Sequence, residues 1–123
     1  MANQPLAECR ILVVEDEYML AEDMREGLEG AGALVLGPTP DLQGALALLA
    51  REPRVDGATL DLNLRGEPSY PVADELLRRG IPFLFTTGYD PEAIPSRYQH
   101  ITRCQKPIRV ATVRDELARV LHR

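Results

Sequence analysis

Five short apolar runs alternate along the chain with segments whose apolar residues recur at helical spacing, and few architectures accept that order. The first run, Arg10-Ile11-Leu12-Val13-Val14, is closed by Glu15-Asp16. It is unbroken rather than alternating, as expected of a strand covered on both faces. Leu20, Met24 and Leu28 then share one helical face, which Gly30 and Gly32 end. Leu34-Val35-Leu36 reads as a second strand stopped by Gly37-Pro38. Asp41 is suited to cap a helix striped by Leu42, Ala45, Leu46 and Leu49. Asp56 to Asp61 holds a third strand, with Ala58 and Leu60 as its apolar members. Asn63 to Ser69 carries Gly66 and Pro68 and reads as a loop. Val72, Ala73, Leu76 and Leu77 mark a third helix, closed by Gly80.

Pro82-Phe83-Leu84-Phe85 is the fourth strand. Asp90-Pro91-Glu92 has the form of a helix start, but Pro95 follows at once, so the fourth helix is expected to be short or distorted. His100 to Cys104 predicts a weak fifth strand, and Val110, Val113, Leu117 and Leu121 the buried face of the last helix. Strand–helix alternation implies parallel pairing through right-handed crossovers. The expected fold is α/β: a flavodoxin-like, doubly wound (βα)5 domain with a five-stranded parallel sheet in the order 2-1-3-4-5. The 123 residues suit a single domain, 1–123, with an ordered core over about 9–122. Ligand sites in such folds lie beyond the carboxyl ends of the strands.

At those ends stand Glu15-Asp16 after the first strand, Asp61 after the third, Thr87-Gly88 after the fourth and Lys106-Pro107 after the fifth. Carboxylates converging on one crevice repel one another, and a hard divalent cation relieves them. Oxygen donors with no histidine cluster favour magnesium. Lysine and a hydroxyl in the same crevice suit an anionic group, so the set fits phosphoryl transfer to a carboxylate. Each fragment alone has a plainer reading. The acids suit the first turn of a helix, Asp61 a turn cap, Lys106 a surface charge, Asn63 a turn and Thr86 packing. His100 and His122 read as surface or core residues, and Tyr18 and Tyr98 as packing residues.

Together and in order, these fragments resemble the receiver domain of bacterial response regulators over nearly the whole chain. The resemblance implies that Asp61 is the phosphoacceptor, attacking a phosphohistidine of a histidine kinase or histidine phosphotransfer protein. It implies that Glu15, Asp16, Asp61 and the backbone carbonyl of Asn63 hold Mg2+. Lys106 would bridge Asp61 or the phosphoryl group, Thr87 and the Gly88 amide would donate to phosphoryl oxygens, and Pro107 would follow a cis peptide bond. Phe83-Leu84-Phe85-Thr86-Thr87-Gly88-Tyr89 is similar to a variant class with a Phe-x-Thr-Gly-Tyr run, which pairs with kinases of the HWE type. Ordinary receivers place an aromatic residue three before the lysine; here it is Arg103. The switch is therefore expected to run through Tyr89 and the Pro95-disturbed helix.

A net charge of −5 argues against unspecific nucleic-acid binding, and no apolar run reaches membrane-spanning length. Two cysteines, Cys9 and Cys104, are too few for a disulfide framework and read as buried thiols in a reducing cytoplasm. The expected protein is a cytoplasmic signalling switch, monomeric or weakly dimeric, without an effector domain and acting on an unknown downstream protein. A pseudo-receiver that binds proteins without phosphorylation is the alternative. A haloacid-type phosphatase needs a second aspartate two residues after its nucleophile, where this chain has Tyr18 after Asp16. A flavin-binding protein of similar topology needs a hydroxyl- or glycine-rich loop where this chain has Glu15-Asp16.

Overall fold

The computed structural model describes residues 4–88 and 94–122. Strands β1 (Arg10–Val14), β2 (Leu34–Thr39), β3 (Gly57–Asp61), β6 (Phe83–Thr87) and β7 (Arg103–Gln105) form one sheet in the order β2-β1-β3-β6-β7, every pair parallel. This is the expected doubly wound topology. A second, two-stranded antiparallel sheet joins β4 (Asn63–Leu64) to β5 (Glu67–Pro68), so a hairpin stands where the sequence reads as a plain loop. The helices are α1 (Tyr18–Gly30), α2 (Leu42–Arg51), α3 (Tyr70–Arg78) and α4 (Val110–Leu121). Among the described residues no helix is long and apolar enough to cross a membrane.

The sheet separates two cores. One layer, under α2 and α3, holds Leu12, Val14, Leu60, Phe83, Phe85 and Tyr98. The other, under α1 and α4, holds Ile11, Val13, Met24, Leu28, Leu84 and Leu117. Alternate residues of β1 and β6 thus serve opposite layers, which is why their apolar runs are unbroken. Gly27 lets the two helices of the second layer approach, since a Cβ there would strike Val110 Cγ1.

Several boundaries differ from expectation. The buried core reaches back to Leu6, whose amide donates to the Ala31 carbonyl at 3.0 Å. β2 continues through Gly37-Pro38 to Thr39; β2 is an edge strand, where proline's missing N–H breaks no inner ladder. β7 begins at Arg103 rather than His100, because the chain is still turning at Ile101, whose amide donates to the Tyr98 carbonyl at 3.0 Å. In α4, Val120 is buried beside Val113 and Leu117, whereas Val110 and Leu121 are only half-buried. Tyr18 is 76% exposed rather than packed, since the buried stripe of α1 runs through Ala21, Met24 and Leu28. Cys104 is buried and Cys9 half-buried, both as free thiols. Asp41 caps α2 as expected, its carboxylate accepting from the Gly44 amide at 2.8 Å. The predicted start of the fourth helix, Asp90-Pro91-Glu92, lies outside the described residues; beyond it, only the 3-10 turn Ser96–Tyr98 precedes β7.

Candidate metal and phosphoryl site

The fold gathers the strand ends into one crevice. Glu15 and Asp16 follow β1, Asp61 closes β3, Thr87 closes β6, and Lys106 follows β7. Lys106 Nζ stands 3.0 Å from Asp61 Oδ2 and 3.2 Å from Glu15 Oε2. Glu17, not singled out in the sequence, adds a third carboxylate at 3.6 Å. The lysine is aimed from behind, its own amide donating to the Thr87 carbonyl at 2.7 Å, with the Lys106–Pro107 peptide cis. Asp61 is fixed on its other side by the Asn63 amide, which donates to Oδ1 at 3.1 Å.

Glu15, Asp16 and Asp61 can each present a ligand oxygen within 4.8 Å of the others. Glu15 is 2% exposed, and its Oε1 has no hydrogen-bond partner among the described residues. Its Oε2 accepts from the Glu17 amide at 3.0 Å. Burial pushes this carboxyl up to about 8, with the Asp61 charge adding to the rise and the Glu17 amide and Lys106 opposing it. Burial alone would depress the Lys106 ammonium, but Asp61 and then Glu15 outweigh it, and it titrates above the ordinary lysine range. An orphaned buried carboxylate oxygen among oxygen-only donors fits a hard divalent cation.

The hairpin closes the crevice from the side. The Arg65 amide donates to Asp16 Oδ2 at 2.9 Å, and the Arg65 guanidinium reaches to within 3.8 Å of Asp41 Oδ2. Sequence reasoning missed Arg65; Gly66 was the available sign of a turn, and the structure places both residues at positive φ. Thr87 is buried at 3% exposure, Gly88 is exposed at the strand end, and Arg103 is half-buried at the start of β7, opposite Phe85 in register. Tyr89 lies outside the described residues.

No model of a known family matches the chain, and neither does any curated protein. Solved structures do. The chain is 34% identical to SdrG from Sphingomonas melonis Fr1, over 100% of both chains, with a TM-score of 0.79. The chain belongs to the response-regulator receiver family. This receiver is also similar to the BeF3-activated conformation of SdrG from Pseudomonas melonis Fr1 (37% identity, 98% of this chain and 99% of that one, TM-score 0.74). It resembles a response regulator from Burkholderia pseudomallei solved with a phosphorylated aspartic acid, calcium ion and citrate (25% identity, 89% of this chain and 66% of that one, TM-score 0.73). The receiver is a signalling domain rather than a metabolic enzyme, so the phosphatase and flavin readings fall away.

Proposed function

We propose that this receiver accepts a phosphoryl group on Asp61 from a phosphohistidine and passes the change to a protein partner. The observation that carries the reading is Lys106 Nζ between Asp61 and Glu15, beside an acidic cluster with an orphaned oxygen. In the proposed step an Asp61 carboxylate oxygen attacks phosphorus as the phosphorus–nitrogen bond to the imidazole breaks. The products are an aspartyl phosphate and a free histidine on the donor. Glu15, Asp16, Asp61 and the Asn63 carbonyl would hold Mg2+, which screens charge on the phosphoryl oxygens. Lys106 leaves the free carboxylate to pair with a phosphoryl oxygen, so its charge stays in the site throughout. The Thr87 hydroxyl and the Gly88 amide donate to the remaining oxygens. Water later hydrolyses the acyl phosphate and resets the domain.

The donor is a histidine kinase, of the HWE type by the Phe83–Tyr89 run, or a histidine phosphotransfer protein, in the cytoplasm. Residues 1–123 act as one domain, monomeric or weakly dimeric. The acidic charge supports a protein, rather than nucleic acid, as the recipient of the signal. The test is incubation with magnesium and acetyl phosphate, read by intact mass. A magnesium-dependent phosphoryl adduct that vanishes in Asp61→Asn supports the reading. If neither this donor nor a phosphorylated histidine kinase gives an adduct, the pseudo-receiver alternative takes its place.

A further inference from the structure

An aromatic chain runs away from the site on the far side of Thr87. Phe83, Phe85 and Thr87 alternate to one face of β6. Tyr98 meets the Phe85 ring edge-on, with centroids 5.9 Å apart, and stacks on Tyr70 at 4.9 Å. Tyr98 is fully buried, yet its hydroxyl reaches a half-exposed carboxylate: it donates to Asp74 Oδ1 at 2.5 Å. The Tyr70 carbonyl, at 3.3 Å, is a second and weaker acceptor. Arg97 holds the same carboxylate through Nε at 2.9 Å and Nη2 at 3.2 Å, and lays its guanidinium 4.5 Å over the Tyr98 ring. Burial, reinforced by Asp74, pushes the phenol up to about 12, so it remains a donor at any working pH.

The chain of contacts returns to the acceptor. Tyr70 opens α3 directly after Ser69, and the Ser69 amide donates at 2.9 Å to the carbonyl of Leu62, the residue after Asp61. The Tyr70–Tyr98–Phe85 contacts therefore join the strands that carry Asp61 and Thr87 by a route outside the sheet. In the arrangement described, both Asp61 oxygens are taken, one by Lys106 and one by the Asn63 amide, as befits an unmodified carboxylate.

We infer that Tyr98, latched to Asp74, is a positioning residue that holds Thr87 and its strand in the arrangement of the unmodified Asp61, and that phosphoryl binding works against this latch. The inference rests on the phosphoacceptor reading. A phosphoryl group on Asp61 draws the Thr87 hydroxyl towards it, and Phe85, two residues back on the same face, moves with the strand. Tyr98 is wedged against Phe85 and pinned at its far end by Asp74 and Arg97, so it resists that motion. A contact made in one state only shifts the balance between states by its own strength.

The test titrates the full chain with magnesium and fluoroberyllate, following the amide signals of Phe85, Thr87 and Gly88. Tyr98→Phe keeps the ring and loses the hydroxyl; Asp74→Ala loses the acceptor. Both are expected to bind fluoroberyllate roughly tenfold more tightly, the scale of one side-chain hydrogen bond to a charged group. Asp74→Asn, whose amide oxygen still accepts from the phenol but without the charge, is expected to tighten binding by only about threefold, between the parent and Asp74→Ala. Leu28→Val, in the opposite layer, controls for lost stability alone and should leave the affinity unchanged. Equal or weaker binding by Tyr98→Phe and Asp74→Ala overturns the latch while the phosphoacceptor reading stands. A parent chain that binds no fluoroberyllate overturns both.

Discussion

The backbone amide of Arg65 donates to Asp16 Oδ2 at 2.9 Å, fastening the tip of the β4–β5 hairpin to the acid pair that follows β1. The turn depends on Arg65 at φ 51° and Gly66 at φ 87°. A side chain at Gly66 meets no neighbour within 4 Å, so the cost of adding one is purely conformational. Gly66→Ala is expected to cost about 1 kcal/mol of stability. It should also loosen the hairpin, so that the affinity for magnesium falls severalfold. Urea unfolding and a magnesium titration of Gly66→Ala check both effects.

Lys106 is the cation shared by two carboxyl groups that are almost wholly buried, Glu15 and Asp61. Removing it leaves those charges uncompensated. Lys106→Ala is expected to lose about 2–3 kcal/mol at a pH above about 8; this lies below the full cost of breaking a buried pair because the lysine side chain keeps 18% exposure. Magnesium should restore most of the loss. Urea unfolding with and without magnesium measures the difference.

Glu15 supplies the pH dependence. Its carboxyl is raised in the folded chain from 4.5 to about 8, so folding favours the protonated form. The stability this group contributes to the metal-free chain is therefore complete below 4.5 and is lost as pH rises through about 8. A cation needs the carboxylate. Magnesium affinity is accordingly expected to climb about tenfold per pH unit within this window and to level off above it. Calorimetric titration at several pH values tests this, and a flat profile in Glu15→Gln assigns the proton.

Leu6 belongs to the core although no helix or strand contains it. Leu6→Ala is expected to cost about 3 kcal/mol, as for other fully buried leucines. Urea midpoints of the parent and variant provide the measurement.

The strand order was legible because unbroken runs such as Ile11–Val14 have a single environment, the middle of a covered sheet. The acidic residues were legible because Glu15-Asp16 and Asp61 end such runs, and a parallel sheet brings the ends together. Leu6 was hidden because one leucine has no periodicity; it is buried in the layer under α1 and α4, where its amide bonds to Ala31, a contact distant in sequence. Arg65 was hidden because its role belongs to its amide, which carries no signature in the side chain. Tyr18 lies beside the buried stripe of α1, not on it, and residue type alone pointed the other way. Tyr98 read correctly as a packing residue, but its hydrogen bond to Asp74 joins residues 24 positions apart and needed the fold to be seen.

The two-layered core has its own consequence. Among the described residues, Phe83, Phe85, Tyr98 and Tyr70 all lie in or against one layer, whereas the other is aliphatic apart from its cysteines and methionine. The sheet is thus a partition between a rigid room and a forgiving one. Aliphatic residues under α1 and α4 can exchange for others of similar volume at little cost. On the aromatic side, each ring is the wall against which the next is set. Mutational tolerance should therefore divide along the plane of the sheet rather than by distance from Asp61.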